Sequence, residues 1–174
     1  MSTTTLFIAC SLDGFITGKN EDISWLFTDQ DYGYKQFYGS VGAVVMGRKT
    51  YETSKGFGKW PYPGKASYVI SHRKGKDGRV EFLSSSVEKI MAMLKKKHKR
   101  IWLVGGANLL SQFLNHKLVD KLRIFVHPIL IGEGTPFFIG IKKHILLKTI
   151  KTRKFSSGLI ELEYDVLPKE SNST

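Results

Sequence analysis

Three short stretches carry residues suited to phosphate. In Met46-Gly47-Arg48-Lys49-Thr50-Tyr51-Glu52 an apolar run stops at Gly47, two cations follow, and a helical pattern begins. A helix start presents free N–H groups and the positive end of its dipole to an anion. Arg48 and Lys49 add point charge, and Thr50 can cap the helix while still offering its hydroxyl. Ser71-His72-Arg73-Lys74 ends a second apolar run with a hydroxyl, an imidazole and two cations, a set that suits an additional phosphate group. In Val104-Gly105-Gly106-Ala107-Asn108 two glycines separate an apolar run from a helical pattern, so the backbone can approach a pyrophosphate without Cβ obstruction. Each stretch also has a plain structural use: a strand-to-helix turn with solvated cations, a charged loop, and close helix–strand packing. Among the acids, Asp13 with Gly14 suits either a pocket carboxylate or a tight turn, and Glu133 between Gly132 and Gly134 suits a solvated loop.

Other chemistries lack their residues. No G-x-G-x-x-G follows a strand pattern, and Gly58 to Gly64-Lys65-Ala66 has the wrong gap and no Ser or Thr for a P-loop. The five histidines form no H-x-x-x-H pair and Cys10 is the only cysteine, so no metal site is expected. No G-x-S-x-G elbow supports a serine hydrolase.

The elements that must position these turns follow from periodicity. Leu6–Cys10, Ala43–Gly47, Ser67–Ser71 and Ile101–Val104 read as buried strands; Asp29–Tyr38, Thr50–Ser54, Val87–Lys97 and Ala107–Asn115 read as helices. The alternation predicts a largely parallel sheet with helices on both faces. Lys121–Ile131, roughly His144–Arg153 and Leu159–Leu167 are strand-like, and Gly158 between the last two predicts a terminal hairpin, hence an antiparallel edge. The turns above then fall at strand ends, where open α/β sheets take ligands.

With 174 residues, 41% of them hydrophobic, the chain suits a single domain over residues 1–168, followed by a polar tail, 169–174, expected to be disordered. No apolar stretch is long enough to span a bilayer, the N-terminus lacks a basic signal region, and one cysteine fits a reducing compartment; a cytoplasmic protein is expected. The formal charge of +12 favours anionic partners. Its densest run, Lys95 to Arg100, has no aromatic residue for stacking and falls where a helix should end. There cations complement the dipole, so nucleic acid is not the expected partner.

Four of these motifs together resemble the dihydrofolate reductase-like family. Ser11-Leu12-Asp13-Gly14-Phe15-Ile16, Met46 to Glu52, Tyr68-Val69-Ile70-Ser71 and Val104-Gly105-Gly106 occur in that order in its members. The opening S-L-D-G, with Trp60-Pro61-Tyr62, is most similar to the branch containing the riboflavin-biosynthesis reductase domain (RibD C-terminal domain-like). The resemblance covers residues 6 to about 166. It implies NADPH bound across the C-terminal edge of the sheet. Gly47, Arg48, Lys49 and Thr50 would lie on its phosphates, Ser71, His72 and Arg73 at the adenosine 2′-phosphate, and Gly105, Gly106, Ala107 and Asn108 along the pyrophosphate. Ala9 and Ile16 would bracket the nicotinamide. A homodimer paired through the terminal strands is also implied.

For the substrate the resemblance implies a carboxylate on the first long helix, and the family's spacing before Met46-Gly47 lands on Asp31. Trp25 would border the pocket and Thr135 would support the carboxylate, with Asp13 facing the nicotinamide. Thr28-x-x-Asp31 equally fits a helix cap. Lys65 stands near the position of an arginine that holds the folate tail but lacks its bidentate geometry. Leu110 replaces a tyrosine usual in folate reducers. The expected activity is hydride transfer from NADPH to a small heterocycle, first a 5-amino-6-(5-phosphoribosylamino)uracil-like substrate of riboflavin biosynthesis and alternatively dihydrofolate. A non-catalytic nucleotide- or nucleic-acid-binding module on the same fold is the rival of another class.

Overall fold

A computed structural model describes residues 1–168; the tail expectation for 169–174 lies outside the described residues. The elements run β1 (Thr3–Ser11), β2 (Phe15–Thr17), α1 (Tyr34–Ser40), β3 (Ala43–Gly47), α2 (Arg48–Lys55), β4 (Ala66–Ile70), β5 (Glu81–Leu83), α3 (Val87–Lys97), β6 (Arg100–Gly105), α4 (Ala107–Asn115), β7 (Lys121–His127), β8 (Thr135–Pro136), β9 (Leu147–Lys154) and β10 (Ile160–Val166). Eight strands form one sheet in the order β5-β4-β3-β6-β1-β7-β10-β9, and β2 and β8 pair separately. Strands β5 to β7 in that order are joined in parallel; β10 runs antiparallel to both β7 and β9. This is the dihydrofolate reductase-like α/β fold, with the expected parallel sheet, antiparallel C-terminal edge and helices on both faces.

Strand periodicity sorts the core into two layers. Ala43, Val45, Ile101 and Leu103 face α3 and α4, meeting Ile90, Met91, Leu94, Leu110 and Phe113. Val44, Met46, Val69 and Trp102 face the other way, against Phe37 of α1 and Tyr51 of α2. Burying each of these large side chains contributes roughly 1.5–3 kcal/mol, so the two layers fix the sheet that carries the loops.

Several boundaries differ from the sequence expectation for identifiable reasons. Helix α1 starts at Tyr34 rather than Asp29, because Gly33 before it is left-handed (φ 81°) and Asp31 is used in a turn. Strand β7 stops at His127 because Pro128 has no N–H to continue the ladder. Helix α2 begins two residues earlier than expected, at Arg48, directly after Gly47. Among the described residues no helix is long and apolar enough to cross a membrane.

Candidate functional site

A cavity of about 770 Å³ opens at the C-terminal ends of β3, β4 and β6. The starts of three helices converge on it: α2 after Gly47, α3 after Ser86 and α4 after Gly106. Gly47, Arg48, Lys49, Thr50, Ser71, His72, Gly106, Ala107 and Asn108 all line it, so nine of the residues expected at a cofactor are brought together. Gly105 sits one residue behind the wall, joined to Gly106 by a cis peptide bond. Thr50 Oγ1 stands 3.4 Å from where a Cβ on Gly106 would be, so a side chain there would crowd the turn. The remaining expected cofactor residues lie outside the lining. Arg73 is exposed and donates its N–H to Ser71 Oγ (3.1 Å). Ile16 packs on the main core, and Ala9 packs with aromatic residues on the opposite layer.

The charges of the cavity are partly answered by the protein. Arg48 Nε lies 2.8 Å from Glu52, and Lys49 Nζ lies 2.5 Å from Glu21. Arg48 Nη1 is nevertheless buried with no hydrogen-bond partner. The Arg48 guanidinium lies over the rings of Tyr51 and Phe82 (5.6 and 5.2 Å). Motif reading missed the opposite wall: Ser84, Ser85 and Ser86 before α3, Gln112, and a bridge of 2.5 Å between His116 Nδ1 and Glu88 that joins α4 to α3. The serine triplet immediately before an amphipathic helix was the available signal.

The residues expected at the substrate are scattered. The Asp31 carboxylate is exposed, accepts the N–H groups of Gly33 and Lys35 (both 3.1 Å), and does not line the cavity; here it acts at the start of α1. Asp13 accepts from Ser11 Oγ (2.6 Å) and from the N–H groups of Ile131 and Gly132. The Ser11 hydroxyl, with those two N–H groups, holds its carboxyl below the usual range. It therefore ties the turn after β1 to the loop after β7. Lys65 corrects its expectation: it precedes β4, at the N-terminal end of the parallel strands, where Nζ donates to Val41 O (2.7 Å) and lies over Tyr38. A strand's length separates it from the cavity. Thr135 lines the cavity near Ile139, distant in role from Asp31.

Trp25 belongs to a second, closed region. The segment between residues 22 and 33, without regular structure, crosses the ends of β1, β7 and β10. Trp25 and Phe27 meet the His127 ring edge-on (5.1 and 4.9 Å), and the Phe27 N–H donates to His127 Nε2 (3.2 Å). His127 is buried, and burial pushes its pKa down despite its backbone hydrogen bonds. Tyr32 packs on Phe155 (4.8 Å), donates its hydroxyl to Asp29 and accepts from the Ser157 hydroxyl (2.7 Å). Beneath this cover lie Phe125, Phe155 and Leu159, with Ala9 and Phe7 alongside. Cys10 lies on the other layer of β1, its thiol pushed up to about 11 by burial.

With this geometry in place, the chain can be compared with known proteins. The profile of the RibD C-terminal domain matches residues 2–160. The chain belongs to that family. It is 36% identical over 174 residues to the uncharacterized protein YyaP of Bacillus subtilis, covering 91% of this chain and 92% of YyaP. The crystal structure of a "Putative riboflavin biosynthesis protein" from Shewanella sp. PV-4 superposes with a TM-score of 0.88 at 26% identity, over 95% of this chain and 99% of that one. A diaminohydroxyphosphoribosylaminopyrimidine deaminase/5-amino-6-(5-phosphoribosylamino)uracil reductase from Thermotoga maritima shares the fold, with a TM-score of 0.75 at 20% identity. That match covers 95% of this chain and 57% of the bifunctional one. The RibD C-terminal domain family thus sets this chain among reductases with a dihydrofolate reductase-like fold.

Proposed function

We propose that this member of the RibD C-terminal domain family is an NADPH-dependent reductase of a small heterocycle. The single observation carrying the cofactor is the cavity at which three helix starts converge, lined by nine residues of the phosphate-suited turns. When bound, NADPH supplies a hydride. The chain's own part is placement. Arg48, Thr50 and the backbone at Gly106–Asn108 hold the pyrophosphate, while Ser71 and His72, facing Ser84–Ser86, take the 2′-phosphate. Strand β1 carries Ala9 into the closed aromatic region, from which the 22–33 segment excludes water.

The first substrate to test is the aminopyrimidine that the Thermotoga protein's name specifies. The residue expected near a folate tail, Lys65, is at the far end of the sheet, and Leu110, in place of the tyrosine usual in folate reducers, is fully buried in the core.

The cofactor claim is tested by titrating the protein with NADPH and with NADH while following heat of binding. Tight NADPH binding with much weaker NADH binding supports it; no binding of either removes it.

The same reading includes a homodimer. All eight residues of β9 are exposed at the sheet edge, and an open edge templates strand pairing. A two-fold axis at Ile150 would set Lys148 against Thr152, Thr149 against Lys151 and Leu147 against Arg153, with no two cations directly opposed. Light scattering of the wild type and of Ile150→Pro tests it: a dimer that the proline converts to a monomer is expected, and a wild-type monomer at micromolar concentration rejects it.

A further inference from the structure

The three helix starts that converge on the cavity are not electrostatically alike. Neither α2 nor α4 has an acid in its first turn, whereas α3 has Glu88. Among the described residues Glu88 is also the only carboxylate that lines the cavity, which otherwise offers Arg48, Lys49, hydroxyls and backbone N–H groups. A carboxylate at a helix start is favoured by the dipole and takes the same donors that an incoming phosphate would use. Here the Glu88 carboxyl is held below its usual range by its own backbone N–H, then by the Ser86 hydroxyl and His116. Left free to turn, it would oppose any anion brought against Ser84–Ser86.

One side chain restrains it. Asn108, Gln112 and His116 follow one another at intervals of four along α4 and its C-cap, so they form a single stripe, and all three line the cavity. At the end of that stripe His116 Nδ1 lies 2.5 Å from Glu88 Oε1. The bridge runs from the end of α4 to the start of α3 and ties the carboxylate to the neighbouring helix. Both side chains are about half exposed (47% and 49%), so the pair stands within reach of solvent and of a ligand.

We propose that His116 is a positioning residue for the phosphorylated ligand: by holding Glu88 it keeps the α3 wall open to the phosphate that Ser71 and His72 take. This rests on the cofactor reading above for the identity of the ligand. The Nδ1–H donor directs the carboxylate in either charge state of the ring. The three starts then divide their work. Those of α2 and α4, free of acids, receive the pyrophosphate, and that of α3 admits a phosphate only while Glu88 is tied down. NADH has no 2′-phosphate to set against that wall, so the bridge bears on NADPH alone.

The test is calorimetric titration of NADPH and NADH into the wild type, His116→Ala, Glu88→Gln and the double variant. His116→Ala is expected to weaken NADPH roughly threefold to fivefold and NADH by less than about twofold. The double variant, with the charge removed, should recover wild-type NADPH affinity to within about twofold. A residue that merely braced two helices would not be rescued by neutralising its partner. At about 0.5 M salt the loss in His116→Ala should shrink below about twofold, because the repulsion is screened. His116→Leu, which keeps the bulk, serves if the alanine variant does not fold. Unchanged NADPH affinity in His116→Ala, an equal loss for NADH, or no recovery in the double variant overturns the proposal. If neither cofactor binds the wild type, the reductase reading falls. The same variants titrated with inorganic pyrophosphate then decide the role of His116: loss with rescue upholds it, and uniform affinity or no binding rejects it.

Discussion

The two halves of the C-terminal sheet edge are built on opposite principles. The half at β3, β4 and β6 is open and lined by contiguous turns. The half at β1, β7 and β10 is closed, aromatic, and assembled from side chains that lie far apart in sequence: Ala9, Phe27, Phe125, Phe155 and Glu161. Phosphate is a constant ligand and can be met by local motifs. An enclosed surface of distant side chains is brought together only by the folded sheet.

The largest expected effect strikes the ribbon between the halves. Gly134 has φ 149°, and a Cβ there would fall on the Thr17 carbonyl, breaking the β2–β8 pairing that brings Thr135 to the cavity. Gly134→Val should cost about 3 kcal/mol, lowering Tm by roughly 6–12 °C, and should weaken NADPH in calorimetric titrations. Unchanged affinity would show that the ribbon does not serve the cavity half.

Next is Arg48→Ala, expected to weaken NADPH binding by roughly tenfold to a hundredfold while leaving Tm within a few degrees. If affinity were unchanged, the cavity would not be a phosphate site and the contrast between the halves would fail.

A third prediction separates the halves by pH. Burial holds the folded His127 pKa below its unfolded value, so the unfolded chain binds the proton more readily. Stability should therefore decline as pH falls through and below about 6.5. His98, also lowered by burial, contributes to the same decline. In His127→Gln part of the decline should vanish, and Trp25 fluorescence should lose its acid response. An unaltered acid limb would mean that the 22–33 segment is not held by a neutral imidazole.

The smallest effects concern two residues whose sequence positions promised more. Asp31→Ala should cost about 1 kcal/mol as a lost helix-start acceptor, with NADPH binding unchanged. Lys65→Ala should not alter NADPH affinity by more than twofold, and melting should fall by only a few degrees. A large loss of ligand affinity in either variant would return it to the site.

This contrast explains what could be read from the sequence. β3, α3 and α4 were legible to the residue because Gly47, Ser86 and Gly106 punctuate their ends, and those same positions line the cavity. β2, β5 and β8 span only two or three residues, too few to show a period. Lys65 was misplaced by spacing, although it stands before a strand whose other end faces the cavity. The burial of Glu161 was invisible for a different reason. In Ile160-Glu161-Leu162-Glu163 it alternates like an acid on a solvent-facing strand, and only the 22–33 segment, packed over it from more than a hundred residues away, makes that face an interior.

That segment also bears on how such proteins diversify. Its dozen residues are fastened to the body chiefly through Phe27 to His127 and Tyr32 to Ser157. Between those fastenings no residue belongs to a helix or a strand or lines the cavity. Changes confined to that stretch therefore alter the cover over Phe125, Phe155 and Leu159 and leave the lining of the cavity at β3, β4 and β6 as it is.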